Sequence, residues 1–521
     1  MSVAEARATQ HRPNPWLIAI VVAAATFMEV LDTTIANVAL PYVAGGMAVS
    51  ADEATWVVTT YLVANAVVLT ASSHLAKALG RKRFFVICLA LFTVSSLLCG
   101  LAWDIRSLLL FRVLQGLGGG GMVPVSQSIL ADAFPPDKRG QGFALFGIAV
   151  VVAPVVGPTL GGWLSDNWSW RWCFLINGPV GVFSIALVML VVAETPAREG
   201  AASFDLFGFL LVSTFLSSLE VVLDRGQIDD WFASSFILFF AAVAAASLVL
   251  MIPWELSRER PVIDLRMILS RQFGACFFVM MAIGAILIST TQLLPQLLQL
   301  NFGYTAMLAG LVLSPGGVVT MFMMLVVGRL TGRVRPKYLI MTGAAIVALS
   351  MYNLTSLYGG LDFWFFARSR IYIGVGLPLI FIPITTASYD GVTPGRIDQA
   401  SALINVARNV GGSIGVSLAQ NVLAHREQFH MNRLSETVTP SNVEYQETLN
   451  RMIAYFLSLG SSASDARRQA TAWIGRQIHA QASLLAYIDV FHTLMLLAAL
   501  VIPLALILRR ASPGAQPTAP H

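Results

Sequence analysis

Apolar residues run in unbroken blocks of about 18–25, each long enough as an α-helix to cross the ~30 Å hydrocarbon core of a bilayer. Fourteen such blocks lie near residues 16–38, 55–76, 84–103, 107–132, 141–164, 172–193, 206–223, 234–254, 272–297, 306–328, 338–357, 363–388, 400–424 and 487–508. Membrane-spanning β-strands are excluded, because they would be about ten residues long and would alternate polar with apolar positions. The pattern therefore predicts an all-α polytopic membrane protein. The first block follows a short basic segment, as in a signal peptide, but it runs for about 23 residues, lacks a cleavage site and opens a series of spans. It is expected to remain as an anchor.

Composition agrees: 56% of residues are hydrophobic and 12% charged, against about 25% charged in soluble domains. The placement of charge adds orientation. Most of the 33 Lys and Arg residues fall in alternate connections, among them Lys77, Arg81, Lys82, Arg83, Lys138, Arg139, Arg198, Arg258, Arg329, Arg333, Arg335, Lys337 and Arg396. Short loops on the other side hold Arg106, Arg171 and Arg225. Cytoplasmic loops carry the excess of basic residues, so both termini are expected in the cytoplasm. The net charge of +5 is spread over many loops and gives no nucleic-acid footprint. Cys88, Cys99, Cys173 and Cys276 fall within spans, where a disulfide framework has little use, and free thiols are expected.

The chain repeats itself. SHLAKALGRKR (73–83) follows span 2 and GRLTGRVRPK (328–337) follows span 10; Arg112 precedes Gly116 in span 4 as Arg370 precedes Gly374 in span 12. Both pairs are offset by eight spans, and an even offset places the copies on one membrane side, as in a parallel repeat of two six-helix halves. Spans 7 and 8 are then an insertion. The expected division is a cytoplasmic segment at 1–15, a six-helix bundle at 16–193, two inserted spans at 205–254, a second six-helix bundle at 272–508 and a cytoplasmic tail at 509–521.

The charged residues inside the spans are the candidates for chemistry. Glu29 and Asp32 are three residues apart on one face of span 1. An acid within the membrane is a functional-site hypothesis by default, and burial disfavours its charged form, so either can carry a proton; a solvated pair near a cavity mouth is the plainer alternative. Arg112 cannot shed its proton and needs an anionic or carbonyl partner. Ala153, Gly157 and Gly161 form a small-residue face on span 5 that permits close helix approach, and Pro154 and Pro158 can kink it. Asn37, Glu220, Arg370 and Arg408 are candidates to line a central cavity, or are satisfied locally. Asp224 and Arg225 are expected at the outer surface, where an ion pair contributes little.

Two motifs are decoys. Gly116-x-Gly118-x-x-Gly121 has no strand before it, and Gly411-x-Ser413-x-Gly415 lies inside an apolar helix, so both are expected to serve helix packing. There is no Gly-Lys dipeptide for a nucleotide-binding loop, and no HExxH or CxxC for a metal. No cofactor or metal is expected.

The segments LDTTIANVALP (31–41), RVLQGLGGGGMVPVSQSIL (112–130), FPPDKRG (134–140), APVVGPTLGGWLSDNWSWRW (153–172), LDRG (223–226) and LPQLLQ (294–299) resemble the fourteen-span drug:proton antiporters of the EmrB type in the major facilitator superfamily. The resemblance runs from about residue 16 to 508. It implies a major facilitator fold in a bacterial inner membrane, and export of hydrophobic small molecules driven by the proton gradient. It makes Asp32 the coupling acid and Arg112 its partner, with Glu29 departing from the family's expected Gln. It makes Ala153, Pro154, Gly157, Pro158, Gly161 and Gly162 the antiporter motif, which seals one side against proton leak. In the loop Lys77, Gly80, Arg81 and Lys82, the Lys stands where the general facilitator pattern has Asp. It also implies partnership with an EmrA-type periplasmic adaptor and a TolC-type outer-membrane channel. The outer loop 425–485, with helix-like stretches at 443–458 and 464–483, is the candidate docking surface or else a lid. The alternative is a facilitator importing or exporting one metabolite or siderophore.

Overall fold

The apolar blocks become helices, and side chains cap the first turn of several of them, satisfying amides that have no partner within the helix. Asn14 accepts from the Trp16 amide ahead of span 1, and Ser50 and Glu53 form a capping box on span 2. Asp104, Asp205, Ser270, Thr305 and Asp362 cap later spans in the same way. The structure is a computed structural model that describes residues 14–135, 138–194, 205–259, 261–390, 392–393 and 396–508. The expected cytoplasmic tail at 509–521 and all but the last two residues of the segment at 1–15 lie outside them.

In order, the spans are Pro15–Met47, Ala51–Leu79, Arg81–Gly100, the pair Ile105–Gly119 and Met122–Ala133, Arg139–Asn167, the pair Trp172–Leu175 and Asn177–Val191, Leu206–Arg225, Ser235–Ser257, Arg271–Asn301, Ala306–Leu330, Pro336–Leu354, Phe363–Ser388, Ile397–Ser435 and Ala463–Leu506. Among the described residues, 13 helices are long and apolar enough to cross a membrane. Span 13, with Asn405, Arg408 and Asn409, is too polar to qualify alone, but it runs through the bundle against spans 9 and 14. The neighbours, not its own hydropathy, keep it there.

The two halves meet along spans 5 and 10, which stay close over their whole length. A Cβ on Gly310 would meet Thr159, one on Gly317 Val155, one on Gly147 Met324 and one on Gly328 Ala144. The apolar core crosses this seam, joining Phe143, Phe146 and Val150 to Met324, Phe381 and Val327. Span 7 packs against span 2 and touches span 13, while span 8 packs mainly on span 7. Only 22% of span 8's apolar window is buried, against 78% for span 9, so span 8 faces lipid. The glycine run of span 4 is helix packing, with a Cβ on Gly118 meeting the Phe92 amide at 2.5 Å.

Two expectations change. The stretch 425–435 continues span 13 as one 39-residue helix, and 464–483 is the start of the 44-residue helix of span 14. Ser462 accepts from the Asp465 amide as its cap. Within 425–485, Val443–Ser458 is the separate helix, packed through Leu449 on Ala470 and Ile474. Polar sequence without a breaker lets the helices run on beyond the membrane.

Candidate functional site

Asp32 sits midway along span 1, 1% exposed, and three side chains donate to its carboxylate. Arg112 Nη1 donates to Oδ2 at 2.7 Å, while Gln115 Nε2 and Asn177 Nδ2 donate to Oδ1 at 2.9 and 2.7 Å. Arg112 is itself fully buried, donates from Nε to the Val57 carbonyl, and lies 4.3 Å over the Tyr61 ring. The partners come from spans 1, 2, 4 and 6, so the buried ion pair ties the N-terminal half together around one charge.

Glu29 lies one turn toward the basic face, the side that carries Arg81 to Arg83. Its Oε1 accepts from Tyr61 Oη at 3.1 Å and Asn65 Nδ2 at 3.4 Å. Across the seam it interacts electrostatically with Arg408 of span 13, with no ion pair within 4.0 Å. Arg408 Nη1 is buried without a hydrogen bond. Glu29 and Arg408 are therefore opposite charges on the two halves, near one another but not locked.

The small-residue face of span 5 packs on this same helix. A Cβ on Gly157 would lie 2.6 Å from Thr34 Cβ, and one on Gly161 would lie 3.3 Å from Ile35 Cα. Ala153 is fully buried, whereas nothing lies within 4 Å of a Cβ on Gly162. Pro154 and Pro158 sit inside an unbroken helix. The motif thus lies between span 1 on one side and span 10 on the other.

At the basic face a second network joins the halves. Arg81, just past Gly80 at φ 86°, donates Nε to Asp398 Oδ1 at 2.7 Å and Nη2 to Oδ2 at 3.1 Å, and also pairs with Asp132. Gln127 Oε1 accepts from Asn405 Nδ2 at 2.7 Å and Ser401 Oγ at 3.2 Å, and Tyr389 stacks on Phe143. This face is closed. Lys82 Nζ donates to the Met189 carbonyl, while Lys77 is half-buried in the last turn of span 2.

Beside this network, burial pushes the Asp390 carboxyl up from its ordinary 3.8 to about 6, against the opposing pull of Arg139. The folded state then favours the protonated acid, so the stability it supplies is whole below about pH 4 and is lost as pH rises through 6. Asp390→Asn is expected to stabilise the chain by about 2 kcal/mol at pH 7.5 and by almost nothing at pH 4. Thermal unfolding at the two pH values measures the difference, and equal effects at both would refute the assignment.

The other candidates scatter. Arg370 is buried in the C-terminal half, Asn37 is exposed on span 1, and Glu220 accepts from Ser413 Oγ at 2.8 and 2.9 Å, joining span 7 to span 13. Asp224 and Arg225 are not surface groups, contrary to the expectation from sequence. Asp224 bonds Thr59, and Arg225, 5% exposed, pairs with Asp229 and donates to the Asp52 carbonyl and Thr55 Oγ1. Sequence reasoning missed Gln115, Asn177, Tyr61, Gln127 and Asp398. Gln115 was findable as the polar residue one turn after Arg112, and Asn177 as a lone amide in an apolar span.

The description Major Facilitator Superfamily matches residues 22–416. The chain is 35% identical over 481 residues to the multidrug export protein EmrB of Escherichia coli strain K12, covering 91% of each chain. It is 36% identical to the fatty acid resistance protein FarB of Neisseria gonorrhoeae, covering 84% of this chain and 86% of that one. Among solved structures, the human organic anion transporter MFSD10 superposes with a TM-score of 0.56 at 13% identity, covering 93% of this chain and all of that one, which shows the shared fold. With fourteen spans, a repeated six-helix unit and a buried span 1 acid on a span 4 arginine, this chain belongs to the major facilitator superfamily, among its EmrB-type multidrug transporters.

Proposed function

We propose that the chain exports hydrophobic and amphiphilic small molecules in exchange for protons, by rocking of its two six-helix halves, with the basic face in the cytoplasm. The observation that carries this is Glu29, a carboxylate at the seam, one turn from a fully paired Asp32. Asp32 takes three donors, one of them the Arg112 guanidinium. Glu29 has only two long hydrogen bonds and faces Arg408 loosely, so it is the group free to trade a proton for a cationic or lipophilic guest.

A proton arriving from outside neutralises Glu29 and removes its attraction for a bound cation, which releases substrate outward. Arg112 and Asp32 hold span 1 in register while this happens, and span 5 moves with span 1 because Gly157 packs on Thr34 and Gly161 on Ile35. Energy then comes from the proton gradient, with no cofactor. The names of the relatives, multidrug export and fatty acid resistance, support an apolar substrate of varied head group. The outer helices, with exposed Tyr455, Leu457 and Leu459, are our docking surface for an EmrA-type periplasmic adaptor leading to a TolC-type outer-membrane channel.

The test is substrate-induced proton release in everted membrane vesicles, with a panel of lipophilic cations, comparing wild type with Asp32→Asn and Glu29→Gln. Release is expected from wild type, with loss of at least tenfold in each variant. Undiminished release from well-folded Asp32→Asn and Glu29→Gln would remove the coupling role. Cellular accumulation of substrate in place of depletion would overturn export itself.

A further inference from the structure

The two halves are copies of one six-helix unit, and the copies differ in how one buried arginine is paired. Arg112 and Arg370 are each the eighth residue of their helix, in spans 4 and 12. The glycine four residues later packs on the backbone of the second helix of its own half, Gly116 on Tyr61 and Gly374 on Gly316. Each guanidinium reaches the first helix of its half. There the likeness ends: Arg112 meets Asp32, whereas Arg370 Nη1 meets Thr290 Oγ1 at 3.4 Å.

That long hydrogen bond is the one Arg370 makes among the described residues, and its Nε is buried with no partner. No acidic side chain pairs with it there. Thr290 Oγ1 gives its own proton to the Ile286 carbonyl at 2.7 Å, so it offers a lone pair and no charge. The preceding residue, Ser289, is fully buried and its Oγ also has no partner. A guanidinium cannot deprotonate, and an unpaired buried charge is strongly unfavourable.

We propose that Arg370 and Thr290 form a binding site for a small monovalent anionic group, a halide ion or the carboxylate head of an amphiphile. The anion occupies the place that the Asp32 carboxylate fills in the other half, accepts from the free Arg370 donor, and neutralises one positive charge. The site lies in the C-terminal half, apart from Glu29 and Asp32, and does not depend on proton coupling.

The test uses the purified full-length chain at pH 7.5 and constant ionic strength, with chloride or octanoate replacing the bulky sulfonate anion of MES. Wild type is expected to show a saturable rise in Tm with one or both anions, and saturable binding of radiolabelled chloride or octanoate. In Thr290→Asp, which supplies a fixed carboxylate, and in Arg370→Met, both responses should fall by at least tenfold in apparent affinity. Response to chloride identifies the source as a free ion, and response to octanoate alone identifies an amphiphile head group. Absence of saturable binding of either anion to wild type, which needs no variant to fold, would overturn the proposal, because the guanidinium is then merely hydrated. Binding that survives unchanged in Thr290→Asp would overturn it as well.

Discussion

Arg112→Met will destabilise the protein by about 3–5 kcal/mol, and adding Asp32→Asn to it will restore most of that loss without restoring transport. The asymmetry follows from burial. Both side chains of the pair are 0% exposed, so removing the cation alone strands a carboxylate that no water can reach. The remaining donors, Gln115 and Asn177, are neutral and offset only part of its charge. The double variant has no charge to strand, and Met fills the space over Tyr61. Thermal and denaturant unfolding of the single and double variants in one detergent measure the coupling. Additive losses would mean that the pair contributes nothing as a pair, and recovery of transport in the double variant would mean that it is structural only.

The second large effect is expected at the basic face. Arg81→Ala removes a fork that grips both oxygens of Asp398 in the other half and also holds Asp132. Two acids are left facing one another, and the closed arrangement loses a buried ion pair that spans the halves at this face. A shift of about 1.4 kcal/mol changes an open-to-closed ratio tenfold, and loss of a buried charge partner exceeds that. A cysteine at Ser401, now shut behind Gln127, should react at least tenfold faster with a polar thiol reagent in the Arg81→Ala background. The native thiols are buried and give a low background. Unchanged labelling would show that spans 5 and 10 hold this face closed unaided.

The spans, the repeat and the acid–arginine pairing were legible because each follows from a local rule. Hydrocarbon demands about twenty apolar residues, and an intramembrane arginine demands a partner. The closure at the basic face was not legible, since Arg81 and Asp398 are 317 residues apart and each reads alone as an ordinary loop charge. Asp224 and Arg225 misled for a related reason. At the end of an apolar block they resemble surface groups, and only the neighbouring span 2, with Thr59, Thr55 and the Asp52 carbonyl, makes the position an interior one. Span 13 is legible as a span at 400–424, and what the sequence does not show is that its Asn405, Ser401 and Ser413 are spent on partners in other spans.

Span 7 is fastened unequally to the two bodies it lies between. Toward span 2 it has Asp224 on Thr59, Arg225 on Thr55 and the Asp52 carbonyl, and Thr70 against Ser213; toward span 13, among the described residues, its hydrogen bonding is that of Glu220 with Ser413. A relative rotation of the bodies breaks the weaker joint first. The inserted pair is therefore cargo of the N-terminal body, and the machine divides into eight helices against six, with the slip plane running between Glu220 and Ser413.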